Sequence, residues 1–103
     1  MAGKKQGLPK MTETDIKRQI KKFLDLQKIF HFHILQGLGS YKGIPDMFAL
    51  HAGKVYAVEV KTPTGKQSKY QEDFQRNWEG RGHPYILVTS VDDVARAMGV
   101  RWC

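Results

Sequence analysis

Residues 44–63 read IPDMFALHAGKVYAVEVKTP, and no other stretch of the chain limits its fold as tightly. Two apolar runs flank the tetrapeptide His51-Ala52-Gly53-Lys54, the pattern of two strands joined by a tight turn and therefore antiparallel. Pro45 is tolerated at the opening of the earlier strand, DMFALH, and VYAVEV is the most strand-like run in the sequence. Yet these strands carry Asp46, Glu59 and Lys61, residue types that are costly to bury.

Alternation along a strand sends Glu59 and Lys61 to one face and turns Val58 and Val60 the other way, into the core. Asp46 and Glu59 are equidistant from a turn centred between Ala52 and Gly53, so they are expected directly opposite one another. Two facing carboxylates repel and need a positive partner. Lys61 supplies one charge. A hard divalent cation, Mg²⁺ or Mn²⁺, suits the pair better, because it takes oxygen ligands from one or two carboxylates and from substrate phosphates; the Val60 carbonyl is a further candidate oxygen. Such an ion lowers the pKa of bound water, while the neighbouring ammonium orients that water or steadies charge on phosphorus. That chemistry is phosphodiester hydrolysis. The competing reading is a cross-strand ion pair on a solvated face. The Pro-Asp start, the acid-apolar-lysine triplet and the basic chain together weigh against it.

The chain has 103 residues, enough for one domain, with 17 basic against 10 acidic side chains and a net charge of +7. This balance favours a polyanionic partner such as DNA, although solubility alone also makes small proteins basic. Cys103 is the only cysteine, which leaves no disulfide framework and no cysteine-based zinc site. No apolar stretch follows the basic N-terminus and none reaches ~18 residues, so neither secretion nor a membrane span is expected, and a cytoplasmic location is. GLGSYKG lacks the Gly-Lys-Ser/Thr ending of a phosphate-binding loop, so no nucleotide cofactor is expected; the four histidines lack zinc-ligand spacing.

Around the hairpin the spacing predicts an amphipathic helix over 12–30, with Ile16, Ile20, Phe23, Leu24 and Phe30 on its buried stripe and Thr12 or Thr14 as N-cap. HFHIL reads as a strand. Ser68 and Gln71 form the capping-box signature of a second helix that carries Tyr70, Phe74 and Trp78 inward. PYILVTS is a short buried strand, and Val91, Val94, Ala95 and Met98 mark a last helix. The order is α-β-β-β-α-β-α, an α/β chain with a mixed sheet flanked by helices. Residues 1–10 read as a basic flexible arm and 11–103 as one domain.

IPD at 44–46 followed by VEVK at 58–61 resembles the Pro-Asp…(Asp/Glu)-x-Lys phosphodiesterase superfamily. The resemblance is closer to its VRR-Nuc (virus-type replication-repair nuclease) family, through Glu13, GIPD, EVK and GKQSKYQ taken in order, and it runs from about Glu13 to Val94. It implies a restriction-endonuclease-like core. It also implies Asp46 and Glu59 as metal ligands, Lys61 as the catalytic lysine and Gln71 as part of the site. Gln71 equally completes the capping box with Ser68. Glu13 lies in line with Ile16, Ile20 and Leu24, which favours a metal or supporting role, although an acid in a helix's first turn is also a routine dipole partner.

Tyr41, Lys42, Lys66, Lys69 and Arg18, with Lys21, Lys22 and Arg76, are candidates for phosphate contact, giving salt-sensitive binding with little base reading. The expectation is a metal-dependent, structure-selective DNA endonuclease. Branched DNA such as Holliday junctions is the implied substrate, in replication, repair or recombination, and two-fold symmetric branches imply a homodimer. The alternatives are a sequence-specific restriction-type nuclease and a non-catalytic nucleic-acid-binding module.

Overall fold

A computed structural model describes residues 10–35 and 41–101. The arm at 1–9, residues 36–40 of the glycine-rich loop, and Cys103 lie outside the described residues. Seven elements follow in the expected order: α1 (Glu13–Leu26), β1 (Phe30–His33), β2 (Met47–His51), β3 (Lys54–Val60), α2 (Lys69–Gly80), β4 (Tyr85–Val88) and α3 (Val91–Met98).

The strands form one sheet in the order β1-β2-β3-β4. β1 and β3 both run antiparallel to β2, whereas β4 runs parallel to β3, reached by the crossover that contains α2. Met47 pairs with Val58 and His51 with Lys54, which is the register expected from the turn centre. Ala52 and Gly53 take φ values of 51° and 77°, so both central residues are left-handed, as a two-residue hairpin of matching twist requires.

Helices cover both faces of the sheet. Ile16, Ile20, Phe23 and Leu24 of α1 and Val94, Ala95 and Met98 of α3 pack against Met47, Ala49, Tyr56, Val58, Val60, Ile86 and Val88. On the other face Phe74 and Trp78 of α2 cover Phe48, Ala57 and Tyr85. β3 therefore alternates between two apolar layers, and this is why VYAVEV reads as a nearly continuous hydrophobic run.

Three expectations are corrected. The first helix ends at Leu26 and not at residue 30, because Lys28 turns left-handed at φ 58° and the N–H groups of Lys28 and Ile29 close back onto the Asp25 and Leu24 carbonyls. Phe30 then starts β1 and is 67% exposed, so it is no part of the helical stripe. Tyr70 does not point inward; it is 54% exposed, and the inward face of α2 consists of Phe74 and Trp78. Leu87 of β4 is also exposed, so that strand is not buried along its whole length.

Candidate active site

The polar residues of the hairpin meet at the end of the sheet where β2 begins and β3 ends. Asp46 is 6% exposed and Glu59 1%, the only buried charged side chains among the described residues. The Asp46 Oδ2 atom accepts the Val60 N–H at 2.8 Å, which locks the carboxylate across the strand end. Its Oδ1 atom lies 2.9 Å from Lys17 Nζ, an ammonium supplied by α1.

Glu59 is held from the opposite layer. Its Oε2 atom accepts a hydrogen bond from Gln71 Nε2 at 2.8 Å and lies 3.5 Å from Lys61 Nζ. Its Oε1 atom is buried and has no hydrogen-bond partner. Burial, followed by the nearby Asp46 charge, pushes the Glu59 pKa up from 4.5 to about 7, with Lys61 opposing the rise. An orphaned buried carboxylate oxygen is expensive unless a proton or a cation meets it.

Gln71 reaches Glu59 because α2 starts where it does. Ser68 caps the helix by accepting the Gln71 N–H at 3.2 Å, and Gln71 Oε1 accepts the Ser68 N–H at 2.8 Å. The amide oxygen thus completes the capping box while the amide nitrogen serves Glu59. One side chain thus closes the helix cap and contacts Glu59.

The first turn of α2 is fixed against the segment that leads into Asp46. Gly43, at φ 79°, packs so closely on this turn that an added Cβ would lie 2.1 Å from the Tyr70 carbonyl oxygen. No other residue could take that backbone conformation and that approach together. The glycine of GIPD therefore sets how Asp46 and Gln71 face one another.

The sequence-predicted residues divide into groups. Glu59 contacts Lys61 and Gln71, while Asp46 contacts Lys17 and the Val60 N–H and lies near enough for its charge to raise the Glu59 pKa. Glu13 is half-buried on α1 and reaches the group through Lys17, whose Nζ is 3.5 Å from Glu13 Oε2. Lys42 sits with its ammonium 4.9 Å from the Tyr70 ring centre, over the start of α2, and Tyr41 lies edge-on to Phe74. Lys66 and Lys69 are exposed on the approach to α2. Arg18 points to solvent in a 3.1 Å pair with Asp15, and Arg76 pairs with Asp73.

Lys17 is the residue that sequence reasoning missed. The signal was present: it stands four residues after Glu13, on the face of α1 that Glu13 shares. Burial acts to lower its pKa, but the hydrogen bond and charge of Asp46, joined by Glu13, outweigh this and hold it above the usual lysine value.

The donors suit a hard divalent cation. Among the described residues no group of three or more His, Cys, Asp and Glu side chains is arranged to hold a metal ion. Mg²⁺ does not need one, since it commonly binds through one or two carboxylates and completes its shell with water and phosphate oxygens. The buried Asp46 and Glu59 pair, with Glu59 Oε1 unmatched, provides that minimum.

No family sequence model matches the chain, and no curated protein matches it in sequence. Solved structures do match it. One described as a VRR_NUC domain is 21% identical with a TM-score of 0.71, covering 89% of this chain and 100% of that one. Another, a VRR_NUC domain protein, is 15% identical with a TM-score of 0.76, covering 88% of each chain. The resemblance read from the motifs is thus borne out in the fold, which is the restriction-endonuclease-like fold of these VRR_NUC structures.

Proposed function

We propose that this chain is a nuclease of the VRR-Nuc type that hydrolyses phosphodiester bonds in DNA with the help of Mg²⁺ or Mn²⁺. The observation that carries the reading is the buried Glu59 with one oxygen unmatched, opposite Asp46 and beside Lys61. A purely structural protein would gain nothing from this arrangement. Replacing such a pair by apolar residues generally costs little and often stabilises.

Asp46, Glu59 Oε1 and the Val60 carbonyl would hold the cation, with Glu13 as an outer carboxylate. When bound, the ion lowers the pKa of a water molecule and neutralises charge on a phosphoryl oxygen. The protein groups do the rest. Lys61, tethered to Glu59 at 3.5 Å, presents an ammonium to the attacking water or to the developing phosphorane charge. Gln71 holds Glu59 Oε2 so that Oε1 keeps a fixed direction. Lys42, Lys66 and Lys69, with Tyr41, would line the approach of the DNA backbone, and Arg18 extends the basic surface on α1.

The substrate we favour is branched DNA, such as a Holliday junction, in replication, repair or recombination. A fold this small has little chain to spare for reading base edges, which argues against a restriction-type enzyme. Two-fold symmetric branches call for a homodimer, and the exposed Phe30, Phe32 and Leu50 on neighbouring strands at the β1 edge supply apolar surface for one. The chain works as one domain in the cytoplasm, and no described helix is long and apolar enough to cross a membrane. The test is incubation of the purified chain with labelled junction, flap, single-stranded and linear duplex DNA in Mg²⁺, Mn²⁺ or EDTA. Cutting of branched DNA that EDTA stops is the expected result. Discrete bands on long duplex DNA would instead support a restriction-type enzyme, and binding without cutting a non-catalytic module. Light scattering at micromolar concentration tests the dimer.

A further inference from the structure

The two carboxylates at the sheet end are engaged differently. Glu59 has a free seat in Oε1, whereas both oxygens of Asp46 are occupied, Oδ2 by the Val60 N–H and Oδ1 by Lys17 Nζ at 2.9 Å. The backbone bond is fixed by the strand. The ammonium is not, because it ends a flexible four-carbon side chain that comes from the other layer of the fold. An ion shared by the two carboxylates therefore finds Glu59 Oε1 without a hydrogen-bond partner, whereas it meets Asp46 only against Lys17.

A second seat for the ammonium lies close by. Glu13 Oε2 is 3.5 Å from the same Nζ, one helical turn back on α1, and Glu13 is far more exposed than Asp46. Lys17 can withdraw from Asp46 and keep an ionic partner, which limits the cost of the move. Without it, the metal-free chain would hold Asp46 buried with an unneutralised charge beside Glu59.

We infer that Lys17 is a positioning residue that competes with the divalent cation for Asp46: it neutralises Asp46 while the ion is absent and passes to Glu13 when the ion arrives. Lys17 thus weakens cation binding and stabilises the metal-free fold. This rests on the reading of Asp46 and Glu59 as a cation site, and it gives Glu13 a role that needs no direct contact with the ion.

Calorimetric titration of the full chain with Mn²⁺, in the absence of DNA, tests the inference. Lys17→Met should bind Mn²⁺ about tenfold more tightly than wild type, since a competing charge has been removed. Lys17→Arg keeps the charge and should bind no more tightly than wild type. The melting temperature of metal-free Lys17→Met should fall, and its rise on saturation with Mn²⁺ should exceed that of wild type. If Lys17→Met does not fold, Lys17→Gln carries the same expectations. Equal or weaker Mn²⁺ binding by the uncharged variant overturns the inference while leaving the nuclease reading intact, provided that wild type binds the ion. If no form of the chain binds Mn²⁺, both fall together.

Discussion

Gln71 Nε2 lies 2.8 Å from Glu59 Oε2 while Oε1 of the same side chain accepts the Ser68 N–H. One amide therefore ties the start of a helix to a buried carboxylate on the neighbouring strand. Any change in where α2 begins would move the donor away from Glu59, so Gln71 serves the helix start and the site at once.

This coupling separates two variants. Ser68→Ala removes the cap but leaves the Gln71 amide, and should cost about 1 kcal/mol in urea unfolding with cleavage largely retained. Gln71→Ala should cost a similar stability and also lower cleavage at least about tenfold, because a hydrogen bond to a charged group is lost. Equal activity in the two variants would reduce Gln71 to a cap.

Gly43 and Gly53 offer a matched comparison, with φ values of 79° and 77°. A Cβ on Gly53 meets nothing within 4 Å, whereas one on Gly43 meets the Tyr70 backbone. Gly53→Ala should lose about 1 kcal/mol from backbone strain alone. Gly43→Ala should lose more than about 2 kcal/mol, since backbone atoms cannot step aside as a side chain can. Denaturant melts of the two variants side by side decide this.

The raised pKa of Glu59 has an unusual sign for a carboxylate. Between its ordinary value of 4.5 and its folded value of about 7, the folded chain holds a proton that the unfolded chain has lost. The stability this contributes is complete below the unfolded value and is lost as pH rises through the folded one, by at most about 1.4 kcal/mol per pH unit. In metal-free buffer the melting temperature of wild type should therefore decline from about pH 5 to about pH 7 and then level off. Glu59→Gln should remove that decline. A wild-type profile that climbs steadily with pH would mean that Glu59 is ionised throughout.

Lys61→Ala should reduce cleavage by about a thousandfold, the scale set by loss of one preorganised donor at a developing charge, and leave Mn²⁺ binding in place. Glu59→Ala should weaken Mn²⁺ binding as well. Four-way junctions cut at the wild-type rate by either variant would remove these residues from the mechanism.

Much of this was legible in the sequence for a geometric reason. A two-residue turn fixes strand register, so the opposition of Asp46 and Glu59 followed from counting. The capping box of Ser68 and Gln71 is local and equally readable. What escaped depends on contacts between distant segments. The end of α1 rests on a left-handed Lys28, where glycine is the usual signal, so the apolar stripe was carried on to Phe30. Tyr70 keeps helical spacing with Phe74 and Trp78 but is exposed, with the Lys42 ammonium over its ring. Lys17 was hidden among the basic residues of α1, because only tertiary structure shows which of those lysines turns toward Asp46.

The left-handed pair Ala52 and Gly53 has a further consequence, for how this chain can change length. Adding one residue to the β3 arm of the hairpin would swing Glu59 through the sheet into the greasy layer beneath α1, and adding one to the β2 arm would do the same to Asp46, while adding one to each would keep the parity. Insertions tolerated here should come in balanced twos, and an odd one should silence the protein without unfolding its outer helices.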